Sequence, residues 1–290
     1  MRRIRHIALA VLCVALLSSR ATGAEVANVA AASDLQFALP DVAAAFTTQT
    51  GREVRLSFGS SGNFRRQIAD GAPFDVFLSA DASYADALVA EQRTQGDGVV
   101  YAVGHLALFV PNGSPVRADA ELRGVAASLA NGRLGKLAIA NPEHAPYGRA
   151  AREVLMRRGL WDAIGPHLVL GENVSQAAQF AVTGGAQAAI VAYSLLRAPG
   201  MNERGRGVIL PAADYAPLVQ KMVLLTRAGE TARAFYDFVQ SAAARAIFAR
   251  YGFDAPSPPP SAPSTRERSR ERGVTHTSLP ATTRAAVVAI

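Results

Sequence analysis

Residues 54–81 read VRLSFGSSGNFRRQIADGAPFDVFLSAD, and this stretch decides the fold. Val54–Phe58 is a short strand-like run, and Gly59-Ser60-Ser61-Gly62 follows it with the small residues of a turn. A serine then opens a helical pattern that runs to Ala69, with Gly71 beyond as its stop signal. Asp75–Ser79 is a second strand, and a further helix is predicted over Ser83–Glu91. Strand and helix alternating at this spacing build an α/β layer, with helices covering the faces of a sheet.

The same alternation continues on both sides. Upstream, the apolar run Val26–Ala31 leads to Ser33 and to a helical pattern through Leu35, Leu39, Val42, Ala45 and Phe46, closed by Gly51. Downstream, a long β-like run over Val99–Val110 is broken at Gly104 and His105. Then the pattern repeats. Lys136–Ala140 reads as a strand, Pro146–Arg158 and Val174–Val182 as helices, and Ala188–Tyr193 as a buried strand. Lys221–Thr226 is a last strand before helices over Glu230–Gln240 and Ala243–Tyr251. Two such sets, split by a β segment that crosses between them, predict two α/β lobes with parallel sheets. Ligands of α/β folds lie outside the carboxyl ends of the strands, so the expected site is the cleft between the lobes.

The two ends read differently. Arg2, Arg3 and Arg5 precede an apolar run, Ile7–Leu17, too short to span a bilayer, and small residues lead to Ala24. Residues 1–24 therefore read as a cleaved signal peptide, which places the mature chain in the periplasm. Cys13, the only cysteine, falls inside that leader, so a mature chain starting near Glu25 has no disulfide and no thiolate metal site. Residues 256–273 read PSPPPSAPSTRERSRERG, and 255–290 as a whole lacks the apolar pattern of a core, so it reads as a disordered tail. Between them stands one folded region over 25–254, with lobe 1 at about 25–105 and 215–254 and lobe 2 at about 106–214.

The net charge of +7 comes from the ends. The leader carries four arginines and no acid, the tail five arginines and two acids, which leaves 21 basic and 21 acidic side chains between them. A neutral folded region argues against a nucleic-acid partner, which needs a basic stripe on a folded surface.

Small polar groups stand where strands give way to helices, at Ala30-Ala31-Ala32-Ser33-Asp34, Phe58–Asn63 and Asn141–Gly148. A fourth helix start lies at Gly171-Glu172-Asn173-Val174-Ser175. First-turn N–H groups lack intrahelical partners and carry the positive end of the helix dipole, so converging helix starts can hold an anion without a charged side chain. A serine at such a place equally serves as an ordinary N-cap worth about 1 kcal/mol. Spacing alone leaves both readings open.

Enzyme signatures are missing. Ser60-Ser61 lacks the G-x-S-x-G elbow, no phosphate-binding P-loop is present, and His105, His144 and His167 do not pair at metal-ligand spacing. His144 is read as stabilising its turn and Trp161 as packing in the second lobe, while Arg65, Arg66 and Arg149 are helix residues that either face water or, aimed at the cleft, would favour a carboxylate ligand.

The chain resembles the periplasmic molybdate-binding proteins from about Val26 to Phe253. The likeness rests on AAASDL (30–35), FGSSGNFRRQIADGAPFDVFLSAD (58–81), NPEHAPYGRAA (141–151), GENVSQAAQFAVTGGAQAAIVAYS (171–194) and AFYDFVQ with AIFARYGF (234–253). GAPFDVFLSAD and IFARYGF are the most specific of these. The resemblance implies a two-lobed type II periplasmic-binding-protein fold that closes on molybdate or tungstate through hydrogen bonds alone. It implies a monomer with no cofactor and no catalytic activity, delivering its ligand to the membrane permease of an ABC importer.

Carried over residue by residue, it assigns Ser33 as a donor from hydroxyl and backbone, Ser61 as the second serine, and Tyr147 and Val174 as backbone N–H donors. One position departs from the family pattern. Ala192 stands where one branch has a ligand tyrosine, and the phenol of Tyr147 is expected to take over that bond, with Tyr193 as the alternative. Asp34 is expected to turn its carboxylate away, since it would repel a dianion. The remaining readings are a receptor for sulfate, phosphate or a small organic anion, and, further off, an extracytoplasmic enzyme.

Overall fold

A computed structural model describes residues 25–256, and their strands divide into two five-stranded sheets. The first holds β1 (Ala27–Ala32), β2 (Val54–Gly59), β3 (Val76–Ser79), β4 (Val99–Gly104) and β10 (Leu218–Leu224), in the order β2-β1-β3-β10-β4. The second holds β5 (Leu106–Pro111), β6 (Leu137–Ala140), β7 (Leu168–Gly171), β8 (Ala188–Ala192) and β9 (Gly205–Ile209), in the order β7-β6-β8-β5-β9. The longer helices are α1 (Ala38–Thr50), α2 (Ser61–Ala69), α3 (Ala82–Ala90), α4 (Arg123–Ala130), α5 (Pro146–Arg157), α6 (Val174–Val182), α7 (Glu230–Val239) and α8 (Ala242–Arg250).

Side-chain alternation explains the two-sided first sheet. Val29, Ala31 and Leu78 face one way, into a cluster with Leu39, Phe46, Phe235 and Phe248. Ala30 and Phe77 face the other way, into a cluster with Phe64, Ile68 and Leu88. Phe46 sits edge-on to Phe235 and Phe238, with centroids 5.2 and 5.6 Å apart, under the apolar face of α7. The second lobe has one large core around Leu106, Leu108, Ile139, Val154 and Ile190. Trp161 packs against it, with the Arg152 guanidinium 5.2 Å over its ring.

The sheets are mixed, which corrects the expectation of parallel ones. β1 pairs in parallel with β2 and β3, and β6 with β7 and β8. β10 runs antiparallel to β3 and β4, and β5 antiparallel to β8 and β9. The cause is the path of the chain. Leu106 lies opposite Ala192, and Leu218 opposite Gly104, so β5 and β10 enter their sheets from the cleft where their neighbours end.

Three elements carried no strong local signal. β9 is GRGVI, with two glycines and an arginine at a sheet edge, β7 has only four residues at the opposite edge, and α4 was not predicted. The expected single helix after Ser33 is broken into a 3-10 turn, Ser33–Leu35, and α1. The leader and the tail lie outside the described residues. Among the described residues no helix is long and apolar enough to cross a membrane.

Candidate functional site

β1, β2 and β3 of the first lobe, and β6, β7 and β8 of the second, all end toward the cleft, and helix starts follow them there. Ser33 begins the turn after β1, and Ser61 is the first residue of α2 after β2. Tyr147 is the second residue of α5, behind Pro146, and Val174 is the first of α6. All four line one cavity of about 10 Å3 together with Asp34, Ser60, Ala80 and Ala145. The space is compact; larger surface hollows, of about 160 to 580 Å3, lie elsewhere.

The hydroxyls are oriented by what they already accept. Ser61 is wholly buried, and its Oγ accepts the Ala80 N–H at 3.0 Å. Ser33 Oγ accepts the Ser175 N–H, from the other lobe, at 3.4 Å. Each oxygen thus uses a lone pair on backbone and keeps its proton for something else. The side chain of Asn173 caps α6 by accepting from Ser175 and Gln176, and does not take the N–H of Val174. Pro146 at the start of α5 leaves Tyr147 as its first residue with an N–H to offer. Among the described residues no three His, Cys, Asp or Glu side chains converge as a metal site would need.

Contacts between the lobes surround this cavity. Ser60, the N-cap of α2, has its Oγ 2.9 Å from His144 Nδ1, and the Gly62 N–H donates to the His144 carbonyl at 2.9 Å. His144 is thus an interlobe contact, in addition to its place in the Asn141–Ala145 turn. Arg149 reaches from α5 to the carboxylate of Asp81 and lies 5.0 Å over the Tyr84 ring. It does not face water alone. Arg65 pairs with Glu91 and Arg66 bonds Asn63.

The tyrosines differ from expectation. The Tyr147 ring is buried, and its hydroxyl donates to Asp34 Oδ2 at 3.0 Å while receiving Gln220 Nε2 at 3.4 Å. A phenol engaged this way is turned to Asp34. Tyr193 does not line the cavity; its ring lies against Gly252 and Arg197, and only its backbone N–H is tied near the crossover, to His105 O at 2.8 Å. Gln220, which the sequence did not single out, is fully buried on β10 and also bonds the Asp34 carboxylate. Burial pushes the Asp34 carboxyl up to about 6, against the downward pull of the Gln220 and Tyr147 hydrogen bonds.

Comparison with known proteins gives a consistent result. The family described as bacterial extracellular solute-binding protein matches residues 27–254. The molybdate-binding protein ModA of Rhodobacter capsulatus is 38% identical over 245 residues, 83% of this chain and 93% of its own length. That of Azotobacter vinelandii is 37% identical over 241 residues, 82% and 93% of the two chains. The solved periplasmic molybdate-binding protein of Azotobacter vinelandii superposes with a TM-score of 0.73 at 31% identity, covering 80% of this chain and all of that one. A sulfate-binding protein from Mycobacterium tuberculosis shares the fold, with a TM-score of 0.67 at 16% identity. With solute-binding relatives matched along most of their length, the chain is a binding protein rather than an enzyme and belongs to the bacterial extracellular solute-binding proteins, in their ModA branch.

Proposed function

We propose that this chain captures molybdate or tungstate in the interlobe cleft and hands it to the membrane permease of an ABC importer. The observation that carries the reading is the convergence of Ser33 and Ser61 from one lobe and Tyr147 and Val174 from the other on one small cavity. The donors are two hydroxyls and the backbone N–H groups of helix starts, with no lysine, arginine or histidine lining the space. Such a set holds a dianion through its oxygens, and no protein atom bonds the metal. Molybdate carries no proton to donate, so a shell made mainly of donors suits it. The names of the curated relatives support the same ligand.

In this reading the chain works as a monomer in the periplasm, with residues 1–24 as its export signal and 25–254 as its folded domain of two lobes. Calorimetric titration of the mature protein with molybdate, tungstate, sulfate and phosphate tests it. Strong binding of the first two and weak or no heat from the others is the expected outcome. Binding of phosphate as strong as that of molybdate overturns the reading.

A further inference from the structure

Asp34 presents a problem that the donor shell alone does not solve. The residue is buried and lines the proposed oxyanion cavity, and one of its carboxyl oxygens, Oδ1, has no side-chain hydrogen-bond partner. A dianion in the cavity and a carboxylate on this residue would then be close together with little water between them, which is repulsive.

The surroundings supply no compensating cation. Tyr147 from α5 and Gln220 from β10 bond Oδ2, and behind Gln220 the Tyr101 hydroxyl of β4 donates to its Oε1 at 2.6 Å. α6 packs on the turn with Ser175 and has no charged residue. The single-turn helix Tyr193–Leu196 adds Ser194, whose hydroxyl donates to the Asp34 carbonyl at 2.7 Å. On β2 the one charged side chain, Arg55, is bonded to Asn28. Lys221, next to Gln220, is held by Asp86 at 2.6 Å, and His144 faces Ser60. Every partner of the carboxyl is a neutral group.

We infer that Asp34 is protonated in the loaded receptor, so that the oxyanion enters the cleft together with one proton taken from solvent. The inference rests on the proposed oxyanion site and adds the charge state in which that site works. A neutral carboxyl removes the repulsion and leaves the Tyr147 and Gln220 contacts in place. The raised affinity of this buried carboxyl for a proton before any dianion arrives acts in the same direction. Linkage then requires molybdate affinity to fall as pH rises, by about tenfold per pH unit while one full proton is taken up.

The test is calorimetry with molybdate at pH 6.5, 7.5 and 8.5, each in two buffers of different ionisation enthalpy, on the mature protein and on Asp34→Asn. Molybdate stays a fully deprotonated dianion over this range. For the native chain, heats that differ between buffers in proportion to uptake of close to one proton, with affinity falling as pH rises, are expected. Asp34→Asn should bind with heats independent of buffer, with affinity flat across the range, and more tightly than the native chain at pH 8.5. Buffer-independent heats for the native chain overturn the inference, and so does proton uptake that persists in Asp34→Asn. No heat from molybdate in either protein overturns instead the molybdate reading itself.

Discussion

Ser61 and Val174 line the same cavity, and in the proposed site they act through different atoms, which substitution separates. In the proposed site Ser61 offers a hydroxyl whose oxygen is held by Ala80, so Ser61→Ala would delete a bond to a charged ligand. A loss of about 1.5–3 kcal/mol is expected, or roughly ten- to a hundredfold in molybdate affinity by titration. Val174 is proposed to offer its backbone N–H, which survives Val174→Ala, and the affinity should change by less than about threefold. The reverse order of effects would show the donors to be misassigned. Asp34 carries a second consequence, for stability. Its folded pKa of about 6 lies above the ordinary 3.8, so its contribution is most favourable below about pH 4 and is lost as pH rises through 6. Asp34→Asn, measured without ligand, should therefore match the native melting temperature near pH 4 and exceed it above pH 7. The gap corresponds to about 3 kcal/mol at most. A gap that shrinks with rising pH would contradict the burial argument.

At the scale of elements, the starts of α2 and α5 meet closely. A methyl group on Gly62 would lie 2.6 Å from the His144 carbonyl oxygen, which is backbone of the other lobe and cannot swing aside. Gly62→Ala should weaken molybdate binding by roughly tenfold or more, because the closed arrangement becomes the disfavoured one. The ligand-free melting temperature should hold or rise, since alanine favours a helix by about 0.5–1 kcal/mol over glycine. Equal affinity in the variant would show that closure does not bring these helices together.

The same junctions show what the sequence made legible. Serines and small residues at strand-to-helix boundaries are local features, and α6 and the start of α5 lie where periodicity and Pro146 put them. The links from Tyr147 and Gln220 to Asp34 span 113 and 186 residues and leave no local trace. Gln220 even disguises its strand, because a polar side chain on the buried face breaks the alternation of Leu218 and Met222. Strand direction was also hidden, since it depends on which lobe the chain is coming from.

For the whole molecule, a ligand held by both lobes, as proposed, would tie closure to stability. An excess of molybdate a hundred times its dissociation constant should add about 2.7 kcal/mol to the unfolding free energy, and each further tenfold about 1.4. The melting temperature should climb with the logarithm of ligand, and small-angle scattering should show a smaller radius of gyration. A rise in melting temperature with no compaction would mean that the lobes are already closed without ligand.

The crossings at Gly104–Leu106 and between β9 and β10 also set a timetable. The second sheet is drawn from the unbroken span 106–209, whereas β10, fourth of five in the first sheet, comes only after it. A chain emerging from its amino terminus thus begins the first lobe, completes the second, and only then receives the strand that joins β3 to β4. Until that strand arrives, β3 and β4 both expose unpaired edges, which invite pairing with other chains. Pulse-labelled hydrogen exchange during refolding should find β6 and β8 protected before β3 and β4. A chain stopped before residue 218 should keep an ordered second lobe and aggregate through the first.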